Sequence, residues 1–267
     1  MRSVIVLGAL AGCGFSVPAA PTADVAVDAA DLLPTEPPAP CSTWAPDDGS
    51  IRLCIDFEDS TLISRARDGS GHNHDAMLAS VAMMMRETAG TKQQALGLAM
   101  DSSVVIAEAS DLDASSNFTF GLWVFASATP QQGAAPIGLM SNGGEYGIAL
   151  QPDGDVRCTV GDKFASTKLL GAPLITLNRW VHIACTYDGA QIKVYLNGVL
   201  SDCKAAPIPG VKPNTSGLVI GDRNDGLVSA PLIGGVDNVH VYARALTAVE
   251  LCGLNGIPAA VCIQQCL

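Results

Sequence analysis

Charge is scarce in this sequence. Asp, Glu, Lys and Arg make up 15% of its 267 residues, and 15 basic residues stand against 26 acidic ones for a net charge of −11. With so few cations to neutralise phosphates, nucleic acid is excluded as a partner. No GxxxxGK[ST] phosphate loop is present. No GxSxG elbow is present either. Zinc sites built on paired CxxC spacing are missing, since Cys262-xxx-Cys266 stands alone. Only 4 histidines occur, scattered along the chain, so a Ser/His/Asp or Cys/His constellation cannot be argued from residue order. Aromatics are down to 5%. No long helical period and no repeat of fixed length appear. The first apolar run, Val4 to Ala11, is too short to span a bilayer.

What is present suits strands and tight turns. Hydrophobic residues reach 48%, with 27 Gly and 16 Pro. That mix fits many short strands separated by turn residues. The clearest segment is Trp180 to Gly198. Val181, Ile183, Cys185 and Tyr187 alternate with His182, Ala184 and Thr186, the period-two mark of a strand. Asp188-Gly189 reads as a two-residue turn with both residues at positive φ. Ile192, Val194 and Leu196 return, and Asn197-Gly198 turns the chain again. Other strands are read at Ile51 to Phe57, Ala95 to Met100, Val104 to Ala107, Phe118 to Phe125, Tyr146 to Leu150, Val156 to Val160, Phe164 to Leu170, Leu218 to Gly221 and Val236 to Tyr242. Ala76 to Arg86 fits a short helix or an irregular strand. The pattern predicts an all-β, two-sheet antiparallel β-sandwich.

The N-terminus reads as a targeting segment. Arg2, the short apolar run and Leu10-Ala11-Gly12-Cys13 resemble a bacterial lipobox. Residues 1–12 are then a signal peptide and Cys13 the lipidation site, carrying palmitate-type acyl chains. The alternative is an ordinary secretory signal cut near Ala19-Ala20. Residues 13–40 are a Pro- and Ala-rich tether, too polar to offset its ordering entropy by burial. Gly14 after the cysteine resembles the pattern that permits export to an outer membrane, so the expected location is the outer membrane or cell surface. Residues 41–254 are the folded domain and 255–267 a Cys-containing tail. Setting Cys13 aside leaves Cys41, Cys54, Cys158, Cys185, Cys203, Cys252, Cys262 and Cys266, an even set that implies disulfides in an exported chain. Cys41 and Cys54 are placed to staple the domain entrance. Cys158 and Cys185 fall on strands, and one pair among the last three would clamp the tail.

In this order and spacing the motifs resemble the laminin-G-like group of concanavalin A-like lectin/glucanase jelly rolls. The carrying pieces are Asp56-Phe-Glu-Asp59, Asp68-Gly-Ser-Gly71, Phe118-Thr-Phe-Gly-Leu-Trp-Val124, the Trp180 to Gly198 hairpin, Ile220-Gly221 and Gly234 to Thr247. The resemblance implies two curved sheets, a concave groove and often a structural calcium ion. It implies binding to glycans or to extracellular or envelope proteins more often than catalysis. The related glucanases carry Glu-x-Asp-x-x-Glu on one strand. That motif is absent, and Glu58, Glu87, Glu108, Glu145 and Glu250 are scattered, so no enzyme is expected and glycoside hydrolysis is a remote alternative.

Asp237, Val239 and Val241 stand at every second position and so share one strand face, which would aim a carboxylate the way two valines point. Such a group must be paired, coordinated or protonated. Asp68, Asn73 and Asp237, with Asp59 as helper, are the calcium candidates. The alternative is that Asp68 caps a turn and Asp237 bonds to backbone at a strand end. His72-Asn-His74 reads either as a transition-metal pair or as solvated turn residues. His182 is expected between the sheets, and Trp123 and Trp180 are expected to pack the core rather than stack on sugar. Trp44 is the remaining sugar-stacking candidate. Loop residues Asn142, Glu145, Tyr146, Arg223, Asn224 and Asp225 are the ligand-binding candidates.

Overall fold

The computed structural model describes residues 48–58, 64–88, 91–114, 116–161, 165–168, 175–206, 213–226, 228, 230–258 and 262. Cys13, Cys41, Trp44, Asp59 and Cys266 lie outside them. In chain order the elements are β1 (Ile51–Ile55), β2 (Arg65–Ala66), β3 (Ala76–Ala79), β4 (Ala82–Thr88), β5 (Thr91–Leu98), β6 (Ser103–Ile106), β7 (Phe118–Ala126) and β8 (Ile137–Asn142). They continue with β9 (Tyr146–Leu150), β10 (Val156–Val160), β11 (Ala165–Lys168), β12 (Trp180–Tyr187), β13 (Gln191–Leu196), β14 (Val199–Ala205), β15 (Leu218–Ile220), β16 (Gly234–Tyr242) and the helix α1 (Ala248–Leu254).

Two antiparallel sheets result. One runs β14-β13-β12-β7-β16-β5-β4, with β1 added along β16; the other runs β11-β10-β9-β8-β15-β6-β3-β2. Alternation decides what lies between them. Val181, Ile183, Cys185 and Tyr187 of β12 meet Phe118, Phe120, Leu122 and Val124 of β7 and Tyr146, Ile148 and Leu150 of β9 in the main core. The ambiguous Ala76–Arg86 stretch is two strands, β3 and β4, in different sheets. The β12–β13 turn differs from the reading: Asp188 N–H donates to the Gln191 carbonyl at 3.2 Å, so Gly189 and Ala190 are the central residues. Gly189 alone supplies the positive φ, 87°.

A bulge in β16 overturns one facing prediction. Asn238 takes φ 46°, and the register against β7 shifts between Asp237 and His240. The extra residue breaks the period-two count. Val236, Val239 and Val241 therefore share the core, while Asp237 pairs across from Trp123 on the opposite face. The bulge sits where β16 changes partner on one edge, from β5 at Gly234–Val236 to β1 at Val239–Tyr242.

That outer face is also buried. α1 covers Ala184, Tyr195 and Tyr242 through Leu251 and Leu254. Its start is a capping box, Thr247 and Glu250 each accepting from the other's backbone N–H. His182 lies on this face and not between the sheets, opposite Trp123 and hydrogen-bonded through Nδ1 to Asn255 Nδ2 at 3.0 Å. His240 is beside it, the two ring centroids 5.3 Å apart. Gly121 makes room for them, because a Cβ there would stand 2.6 Å from His240 Nε2. Trp123 and Trp180 form a separate buried cluster with Ala95. They are packing residues, as expected, but outside the main core.

Cys158–Cys185 joins the two sheets, β10 to β12, with both residues at 0% exposure. Cys252–Cys262 ties the segment after α1 back to it. Cys54 and Cys203 are disulfide-bonded as well.

Candidate functional site

The outward face of β8, β9 and β10 has small residues in its middle. Tyr146, Ile148 and Leu150 point into the core, so Gly147 and Ala149 face out. On β10, Val156, Cys158 and Val160 point in, so Arg157 and Thr159 face out. Register sets Arg157 beside Ala149 and Thr159 beside Gly147. Ala149 in turn lies beside Gly138, and Gly147 beside Ser141. The result is a floor of glycine and alanine under a groove of about 610 Å³.

Its walls mix polar groups with small and apolar ones. Arg157, Thr159 and Gln151 line one side, the 133–136 loop another, and Arg223, Asp225 and Val228 a third. The loop after β15 reaches the groove because Gly138 lets its backbone close in; a Cβ at Gly138 would lie 2.4 Å from Asp222. Arg223 and Asp225 form a two-point ion pair, with side chains 15% and 12% exposed. Asn224 holds the loop tip, its Oδ1 accepting from Gly143 N–H at 2.8 Å and its Nδ2 donating to Gly217 at 2.8 Å. Arg157 differs. Its Nε is buried and has no hydrogen-bond partner among the described residues. A buried donor left open in this way is uncommon and calls for a ligand or water.

The six ligand candidates thus divide. Arg223 and Asp225 line the groove, and Asn224 positions them. Asn142 and Glu145 form an internal clamp instead, joined by Tyr146, which borders the groove but keeps its ring in the core. Tyr146 is 1% exposed, its ring against Phe118 and Phe120 and its hydroxyl donating to the Leu112 carbonyl at 3.0 Å. Asn142 Nδ2 donates to the same carbonyl at 3.3 Å. Glu145 accepts from Ala114 N–H and from both the backbone and side chain of Asn214. Burial pushes the Glu145 carboxyl above the usual range, against the pull of those donors. The sequence reading did not select Arg157, Thr159, Gly147 or Ala149. Their signal was present as polar or small residues alternating with buried apolar ones on two successive strands.

Of the calcium candidates, Asp59 lies outside the described residues, and Asp68 and Asn73 line one shallow pocket. Each oxygen of Asp68 already accepts two hydrogen bonds: Oδ1 from Cys54 and Ser70 N–H, Oδ2 from Ser70 Oγ and His74 N–H. This is the turn-capping alternative. Asn73 is exposed at φ 65°, and Asp237 Oδ1 accepts from Asn238 N–H. Arg65 and Arg67 line the same shallow pocket as Asp68, Asn73 and Asp75, which opposes a further cation there.

Comparison with known proteins agrees with this architecture. A laminin G-type family model described as the concanavalin A-like lectin/glucanases superfamily matches residues 98–252. No curated protein sequence matches the chain. Among solved structures, domain 4 of an extracellular arabinanase from Geobacillus stearothermophilus, in complex with arabinotriose, is similar at 17% identity and TM-score 0.59, over 77% of this chain and 98% of that one. The ligand-binding domain of botulinum neurotoxin serotype D, in complex with N-acetylneuraminic acid, matches at 11% identity and TM-score 0.60, over 78% and 51%. Trypanosoma rangeli sialidase, in complex with 2,3-difluorosialic acid, matches at 19% and 0.58, over 79% and 33%. The chain thus spans about half of the toxin domain and a third of the sialidase. At these identities the likeness concerns the fold.

Proposed function

The chain belongs to the concanavalin A-like lectin/glucanase superfamily, and on that footing we propose that it is a surface-anchored, non-catalytic module that binds carbohydrate in the groove over β8, β9 and β10. The observation that carries this reading is the small-residue floor flanked by Arg157, whose Nε has no hydrogen-bond partner among the described residues, within a groove of ligand size. Convergent hydroxyl, amide and guanidinium groups from Thr159, Gln151, Arg157 and Arg223 suit the donors and acceptors of a sugar. The solved complexes with arabinotriose and N-acetylneuraminic acid lend support from proteins of the same fold. The non-catalytic part rests on charge. Most glycoside hydrolases use two carboxylates about the scissile bond, and among the described lining residues the carboxylate is that of Asp225, held by Arg223. One observation favours a second reading, contact with an envelope protein. Among the described lining residues no aromatic ring is exposed to serve as a sugar platform, since Tyr146 is buried.

A glycan array with the purified chain separates the two. We expect a defined set of bound glycans, and Arg157→Ala is expected to weaken the strongest by about tenfold or more, with an unchanged unfolding midpoint. A blank array together with a protein cross-linked at this groove would replace carbohydrate by protein. Anchoring rests on Leu10-Ala11-Gly12-Cys13. The mature protein is expected to sediment with membranes and to carry a diacylglyceryl mass on Cys13, while Cys13→Ser should release it into the aqueous fraction. Sedimentation unaffected by that change would remove the anchor from the account.

A further inference from the structure

The loop between β2 and β3 holds two histidines that the groove does not use. Asn73 between them takes φ 65°, a left-handed residue that turns the chain so that His72 and His74 lie side by side. Their rings are 6.0 Å apart at 15°. Both backbones are pinned, His74 N–H to Asp68 Oδ2 at 3.0 Å and His72 N–H to Ser70 Oγ at 3.2 Å. A third group arrives from the loop between β6 and β7. Asp111 is 2.9 Å from His72 Nδ1 and 2.9 Å from His74 Nε2. All three ligand atoms lie within 4.8 Å of one another.

We propose that His72 Nδ1, His74 Nε2 and an Asp111 carboxylate oxygen form a binding site for a divalent transition-metal ion of the zinc class, clipping the β2–β3 loop to the β6–β7 loop. Two imidazole nitrogens and one carboxylate suit zinc and its neighbours, and a fourth position stays open for water. They do not suit calcium, which seeks six to eight oxygens. Ligands around a tetrahedral zinc stand about 3.3 Å apart at bond lengths near 2.0–2.1 Å. The separations of 2.9 Å from Asp111 to each histidine nitrogen, and the 4.8 Å limit on all three atoms, bracket that spacing. The side chains are 35%, 13% and 35% exposed, so an ion can enter from solvent. The Arg52 guanidinium lies beside the cluster, its Nη1 3.5 Å from His72 Nε2, the nitrogen turned away from Asp111. The same Nη1 is held at 2.7 Å by the Gly49 carbonyl, which anchors it once His72 Nε2 carries a proton. Asp68 and Asn73, read from the sequence as calcium ligands, become the framework that presents the histidines.

The bland alternative is a His–Asp–His hydrogen-bonded tie with no ion. Calorimetric titration of the intact, chelator-stripped chain with zinc chloride decides between them. One zinc per chain is expected, with weakening of about tenfold or more in His72→Gln and in Asp111→Asn, since even outer partners of a metal site cost 10–100-fold when removed. Cobalt in place of zinc should give visible absorption that His72→Gln abolishes, and calcium should give no heat. Imidazole resonances of His72 and His74 followed by NMR give a second readout in the unmutated chain. Absence of zinc heat would overturn the site, as would equal zinc binding in a folded His72→Gln/His74→Gln chain, or zinc that leaves both sets of resonances unmoved.

Discussion

Lowering the pH from 7 to 4 is expected to cost the fold about 3 kcal/mol through His240 alone. His240 is 0% exposed, packed against His182 and Tyr242. Burial pushes its pKa down to about 4, while the Asn238 carbonyl works the other way. An unfolded histidine titrates near 6.5. Between those values the unfolded chain binds a proton that the folded chain refuses. Stability from this group is therefore complete above about pH 6.5 and is lost as the pH falls toward 4. His182 adds to the effect with the same sign, held well below its ordinary value first by burial and then by the charge of His240. Other groups pull in both directions. Burial raises Asp113 and Glu145, which oppose the loss, while the Arg244 guanidinium holds Glu250 at about 2 and adds to it below the ordinary carboxylate range. The informative quantity is thus a difference. Urea unfolding at pH 7 and pH 4 should show a smaller acid loss in His240→Gln than in the unmutated chain. Equal losses in the two would remove the buried histidines from the acid response.

The second large effect is expected from the disulfide that crosses the sandwich. Cys158 and Cys185 are separated by 27 residues, and closing such a loop in the unfolded chain is worth about 3–4 kcal/mol on the chain-entropy account. The bond also links strands of two different sheets, so no hydrogen-bond ladder duplicates it. Cys158→Ala with Cys185→Ala should lower the unfolding free energy by about that amount, plus the loss of packing at two fully buried positions. A double variant within about 1 kcal/mol of the unmutated chain would mean that core packing alone sets the sheet-to-sheet contact.

Much of this architecture was legible in the sequence where alternation was undisturbed. The β12–β13 hairpin, the doubly buried β7 and the Asn197-Gly198 turn follow from period-two patterning and turn chemistry; Asn197 and Gly198 do take φ 48° and 81°. Alternation failed where a residue was added or a strand lay at an edge. Asn238 in β16 sent Asp237 to the face opposite its expected one. In β8 a register shift between Gly138 and Met140 hid a fully buried strand inside what read as loop sequence. β14 is an edge strand with no buried position, so it carries no apolar period at all. α1 is seven residues long, too short for a helical period, although Thr247-x-x-Glu250 was a readable start. The site was less legible than the fold for a different reason. Glu145 and Asn142 look like ligand groups in a polar loop, but their partners, Ala114, Leu112 and Asn214, are distant in sequence, and only the fold reveals that they are already engaged. Arg157 was visible as an outward residue. That no partner meets its Nε was not.

The central claim is that ligand is held in the groove floored by Gly147 and Ala149. It is tested most directly by the affinity of the strongest array glycan for the unmutated chain and for Ala149→Trp, which fills that floor without touching the core. The account predicts that binding falls by about tenfold or more, or about 1.4 kcal/mol and above, with the urea midpoint unchanged. Equal affinity in the two chains would place the ligand elsewhere and contradict it.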